Sequence, residues 1–135
     1  MIELGDEKVL YAFDKELEPA LVVPSGATVR VRTKDCFGNQ VQRPEDELDE
    51  IDWDHINPAT GPIFVEDAVP GGALKVTIEA IEFDGQTASC TGEGEGVCGD
   101  RFDAWSTHLC KIDGDELVWD EELRIPLRPM IGVIG

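Results

Sequence analysis

The chain has 135 residues, enough for one ordinary domain with its own core, and 41% of them are hydrophobic. Its 29 acidic residues against 11 basic ones give a formal net charge of −18, which repels phosphate backbones and anionic lipid and so excludes nucleic acid and membrane surfaces as partners. No apolar run approaches the roughly 18 residues that span a bilayer, and Met1-Ile2-Glu3-Leu4-Gly5-Asp6 lacks the basic-then-apolar pattern of a secretory signal, so the expected location is the cytoplasm.

Taken in chain order, the first clear element is Ala27-Thr28-Val29-Arg30-Val31-Arg32-Thr33. Its apolar and basic residues alternate with the period of two that defines a strand. Asp35 closes that strand and opens the turn Cys36-Phe37-Gly38-Asn39. An acid at a strand end is a candidate site residue, because function concentrates on loops held by rigid strands; turn chemistry alone also accounts for Asp there. Pro44-Glu45-Asp46-Glu47-Leu48-Asp49-Glu50-Ile51 fits one short helix or an acidic loop equally well. His55 follows in Asp52-Trp53-Asp54-His55, where neighbouring carboxylates favour its protonated form or orient it as a metal ligand; a plain surface histidine is the alternative.

Residues 57–66, Asn57-Pro58-Ala59-Thr60-Gly61-Pro62-Ile63-Phe64-Val65-Glu66, read as two successive turns entering a strand. Such an elbow is rigid and can aim backbone N–H groups and the Thr60 hydroxyl at a small ligand. Leu74, Val76, Ile78 and Ala80 then share one strand face, and the apolar phase slips to Ile81 and Phe83, which predicts a β-bulge near Ala80-Ile81. Asp84-Gly85 and Asp113-Gly114 predict tight hairpins, the second flanked by Cys110 and Ile112 before it and Leu117 and Trp119 after it. Between them, Gly92, Gly94, Gly96 and Gly99 mark a loop whose Glu93 and Glu95 repel phosphate. Leu123 to Ile125 meets Pro126 and Pro129 and is limited to a short or edge strand. The segment Ile125 to Gly135 is apolar to its end, a pattern suited to a continuing chain or to packing on a partner.

Many short strands, frequent turns and scarce helix predict a mainly β fold: an antiparallel β-sandwich or barrel, jelly-roll-like, with at most one or two short helices, as a single domain over 1–135. Cys36, Cys90, Cys98 and Cys110 form no CxxC pair and fit no zinc-finger spacing, so free thiols are expected, Cys98 exposed and Cys110 in the core. His108, beside Leu109 and Cys110, is expected to be structural. No Gly-x-Ser-x-Gly elbow, His-Glu-x-x-His or phosphate-binding Gly-x-x-x-x-Gly-Lys is present.

Four blocks nevertheless occur in a telling order. They are Thr33 to Val41, Asn57 to Glu66, Pro70-Gly71 before a Leu-Val-Ile strand, and Ile125-Pro126 through Pro129-Met130-Ile131-Gly132-Val133-Ile134-Gly135. In motif and order the chain resembles the N-terminal half of the acetamidase/formamidase family. The resemblance implies hydrolysis of small linear amides such as formamide and acetamide to the carboxylic acid and ammonia. It also implies a longer β-rich protein of two related halves, with the second half absent here. A divalent metal, zinc or calcium, suits such chemistry, since a bound cation polarises the amide carbonyl and acidifies a water. On that reading Asp35, His55 and Thr60 are the catalytic candidates, Asp35 and His55 also the metal-ligand candidates, and Asn57, Gly61 and Glu66 hold the substrate. The implied partners are a small amide and either a complementary C-terminal half or further copies in a homo-oligomer. Two departures stand out: Asp67 replaces the Gly of the family's Val-Glu-Gly, and Gly72 replaces the Asp after its Pro-Gly. Residues 101–117 also look short beside the family. The alternative reading is a non-catalytic β-sandwich that assembles with a partner or binds a small ligand.

Overall fold

The structure, a computed structural model, describes residues 1–83 and 85–135. Among them the fold is mainly β, with ten short strands and two three-residue 3₁₀ turns, Trp53–His55 and Gly99–Arg101. No helix of the described residues is long and apolar enough to cross a membrane. The chain divides into two compact units, one of residues 1–38, 54–79 and 131–135, the other of residues 39–53 and 80–130. Because the chain passes between them several times, no single linker marks the division.

In the first unit, strands β1 (Ile2–Leu4) and β4 (Val29–Val31) pair in parallel, and so do β3 (Leu21–Val23) and β6 (Ile63–Val65). Strand β2 (Val9–Leu10) pairs antiparallel with β5 (Ala59–Thr60). The strand predicted over 27–33 is thus present, trimmed to three residues. Its sheet and the other two are each only two strands wide. Val23 is the buried apolar residue of this unit.

The second unit is a four-stranded antiparallel meander in the order β10, β9, β8, β7. Here β7 is Gln86–Thr91, β8 Ser106–Asp113, β9 Glu116–Val118 and β10 Arg124–Pro126. Asp113 pairs with Glu116, so Gly114-Asp115 makes the two-residue turn. The positive φ of 59° falls on Gly114, the residue best able to adopt it. Pro126 sits on the outer strand β10, where its missing N–H breaks no ladder. Cys110 is buried, which holds its thiol pKa above the ordinary value, and none of the four cysteines is in a disulfide.

Residues 39–53 form a loop rather than a helix. Thr107 Oγ1 donates to the Asp46 carbonyl at 2.8 Å, Gln86 Nε2 to the Gln42 carbonyl at 3.2 Å, and Trp53 Nε1 to the Leu48 carbonyl at 2.8 Å. Val41 and Leu48 of this acidic segment are buried. Asp46 knots the loop: its carboxylate accepts the N–H groups of Gln42 and Arg43 at 2.8 and 2.9 Å and a two-pronged bond from the Arg43 guanidinium.

The Gln42 N–H, then the Arg43 side chain, hold the Asp46 carboxyl below the usual carboxylate range. A depressed folded-state pKa means stability that is fully present above the unfolded value of about 4 and is lost as pH falls through the lower folded value. Asp46→Asn is therefore expected to lower the melting temperature at pH 7, with the gap to wild type closing as pH drops below about 4. Melting curves across that range check it; a constant gap would assign the loss to packing instead.

Two expectations are not met. Residues 74–83 belong to no strand among the described residues, so neither the predicted strand nor its bulge forms. Alternation shows a surface fit for pairing but cannot supply the neighbour that pairs with it. The predicted Asp84-Gly85 turn includes Asp84, which lies outside the described residues.

Asp67 adopts a φ of +65°, the left-handed conformation that costs a residue bearing a Cβ roughly 1–2 kcal/mol and glycine nothing. It is the position where the sequence departs from a glycine. Asp67→Gly is expected to stabilise the chain by up to about 1 kcal/mol, after glycine's greater unfolded-state entropy is subtracted. Denaturant titration checks it, and a loss of stability would show that the Asp67 side chain does more than fill a turn.

Candidate functional site

The candidate site lies in the first unit, where the chain after β4 and the elbow before β6 run beside each other. Two hydrogen bonds set their alignment. Thr60 Oγ1 donates to the Arg32 carbonyl at 3.0 Å, and the Asn57 N–H donates to the Cys36 carbonyl at 2.7 Å. Asp35 is adjacent to Cys36 in the chain and His55 is two residues before Asn57, so the second bond joins the two segments that carry them. Asp35 Oδ1 accepts the Phe37 N–H at 2.9 Å, closing the turn the sequence indicates.

Asn57 holds a φ of +52°, which asparagine tolerates better than most residues, and this sharp reversal turns the chain from His55 into β5. Gly61 follows β5 at a φ of +148°, which a side chain would strain. The elbow is therefore sharply turned at both points, as its turn residues predict. Its backbone donors are used internally, however. Asn57 N–H serves Cys36, Gly61 N–H reaches the Lys8 carbonyl at 3.2 Å, and Thr60 pairs with Val9 in the β2–β5 ladder. The Asn57 and Gly61 N–H groups are thus already engaged within the chain.

The Thr60 hydroxyl hydrogen is likewise directed at Arg32. What Thr60 offers a ligand is the lone pairs of its oxygen, an acceptor. Tyr11, which sequence reasoning missed, meets the His55 ring edge to face, with centroids 4.8 Å apart and planes at 81°. Beside them is a cleft of about 60 Å³ lined by Leu10, Tyr11, Ala12, Phe13, Asn57, Ala59 and Val133. Apolar walls with one amide at the rim suit a small, neutral, polar molecule. Tyr11 is the chain's single tyrosine, but nothing local links it to a histidine 44 positions later.

Asp35, His55, Asn57, Thr60 and Gly61 are thus held along one pair of adjoining segments. Glu66 is not among them. It lies beyond β6, roughly 10 Å of strand further on, with its N–H donating to the Val23 carbonyl at 2.8 Å. Among the described residues no group of three or more His, Cys, Asp or Glu side chains is arranged to hold a metal ion.

In the second unit, His108 stacks on Trp119 at 4.4 Å, with its Nε2–H donating to the Trp119 carbonyl at 2.7 Å, the structural role expected of it. A groove of about 290 Å³ there, lined by Ile81, Phe83, Ile112, Leu127 and Pro129 with Glu82 and Asp115 at its polar edge, includes none of the candidate residues.

Comparison with known proteins adds independent information. Residues 4–133 match the model of the Acetamidase/Formamidase family. Among solved structures, a predicted acetamidase/formamidase from the thermophile Thermoanaerobacter tengcongensis is 45% identical with a TM-score of 0.91, the match covering 99% of this chain and 44% of that one. An acetamidase from Bacillus halodurans is 38% identical with a TM-score of 0.85, covering 99% and 45%. An acetamidase from Yersinia enterocolitica, at 16% identity and a TM-score of 0.64, shares the fold over 93% of this chain and 43% of its own. No protein of curated function matches. The chain spans less than half the length of the solved proteins it resembles.

Proposed function

The chain belongs to the acetamidase/formamidase family, and from that premise we propose that it supplies one part of a site hydrolysing small linear amides, completed by a polypeptide equivalent to the rest of its longer relatives. The observation that supports this reading is the doubly tied elbow, whose Asn57 lines a small cleft together with Tyr11, the ring that His55 meets.

A primary amide has one strong acceptor, its carbonyl oxygen, and two N–H donors. The Asn57 carboxamide carries the complementary pair, and the Thr60 oxygen is left to accept from the substrate NH₂. His55 is the group suited to move a proton: it takes one from the attacking water as the C–O bond forms and returns it to nitrogen as the C–N bond breaks, releasing acid and ammonia. Asp35 is the acid available to orient it. A divalent cation, zinc or calcium, belongs to this reading only with donors from the completing polypeptide, Asp35 and His55 being this chain's candidates. Cytoplasmic residence and a homo-oligomeric assembly are further parts of the proposal.

Asn57→Ala and Thr60→Val test it in the completed assembly. Each is expected to raise KM for acetamide by roughly 3- to 10-fold, the loss of one neutral hydrogen bond. Unchanged KM in both variants would remove these residues from substrate binding. A non-catalytic assembly module is the second reading, favoured by the many exposed apolar side chains; it predicts association without ammonia release.

A further inference from the structure

Residues 73–79 of the first unit alternate Leu74, Val76 and Ile78 with Lys75, Thr77 and Glu79, and their middle, Val76-Thr77-Ile78, is β-branched throughout. They nevertheless lie in no strand of the described residues. Leu74, Val76 and Ile78 are 62, 62 and 51% exposed. A sequence patterned for a half-buried strand has its apolar residues in water.

The strands of the same unit are similarly unfinished. Val22 and Phe64 are register partners on β3 and β6, yet both are at least half exposed. Parallel pairs are ordinarily covered on both faces, and two-stranded sheets are marginal alone. Solved proteins 38–45% identical to this chain carry more than half their length outside the match.

We propose that residues 73–79 become a β-strand by pairing with a strand of the polypeptide equivalent to that unmatched part, with Leu74, Val76 and Ile78 buried in the contact. Strand addition satisfies the backbone of 73–79 and covers its alternate apolar side chains in one step. The inference rests on the reading of the chain as one part of a longer assembly, and it names the surface by which the parts join.

The test mixes the full chain with the separately produced portion of the Thermoanaerobacter tengcongensis protein that lies outside the match. Sedimentation reads association, and hydrogen exchange reads the amides of 73–79. A complex with slowed exchange at 73–79 is expected. Val76→Lys, at an exposed position that leaves the free chain folded, is expected to weaken the complex at least about tenfold. Val97→Lys, in the exposed Gly-rich loop of the second unit, should leave affinity within about twofold. No complex, a complex indifferent to Val76→Lys, or unchanged exchange at 73–79 would overturn the inference; so would slowed exchange there by self-association without the added polypeptide. A protected complex without amide hydrolysis would defeat the enzymatic reading alone. Hydrolysis without protection at 73–79 would defeat this inference alone.

Discussion

His55→Ala is expected to reduce kcat/KM for acetamide about 10²- to 10⁴-fold in the completed assembly, the range associated with loss of a positioned proton-transfer group. The chain has only two histidines, and the other, His108, is stacked on Trp119 with its Nε2–H directed at a carbonyl. His55 is instead exposed, at the end of a 3₁₀ turn, with its ring against Tyr11 and two residues from the cleft-lining Asn57. Because it is exposed, its removal leaves little cavity and the fold should survive. Steady-state kinetics, with thermal melting as the control for folding, measure the effect. A variant that keeps its melting temperature and loses less than about threefold in kcat/KM would take His55 out of the chemistry.

Leu48→Ala is the substitution expected to damage the fold most, by about 2–5 kcal/mol. Leu48 is 5% exposed and, among the described residues, is one of four buried apolar residues, with Val23, Val41 and Cys110. Its carbonyl is also held by the Trp53 indole. With so few fully buried side chains, the second unit has little else to compensate, and the melting temperature should fall by roughly 10 °C. A fall equivalent to less than about 1 kcal/mol would mean that the 39–53 loop is not part of that unit's core.

Elements whose cause is local were legible in the sequence. The alternation at Val29-Arg30-Val31 forms β4, Asp113-Gly114 marks the β8–β9 hairpin, and Pro126 limits β10 to an edge. The turn opened by Asp35 and the reversal at Asn57 also follow from side chains acting on their own backbone. What depended on distant pairing was not legible. Strands of two or three residues such as β1 and β2 carry no periodic signal, and nothing in 74–83 announces that its alternating residues enter no strand among the described residues. Tyr11 and His55 meet only because β2 pairs with β5. Composition likewise hid the acidic loop's role, since Val41 and Leu48 are buried while Glu45, Glu47, Asp49 and Glu50 around them are exposed. The elbow's turns were legible in its turn residues, but the internal use of its Asn57 and Gly61 N–H groups required the fold.

The most direct measurement is ammonia release from formamide and acetamide by the 135-residue chain, alone and mixed with the unmatched portion of a solved relative. The account predicts negligible release by either component and turnover by the mixture, diminished by His55→Ala. A stable, correctly paired mixture that releases no ammonia from any short amide would contradict it.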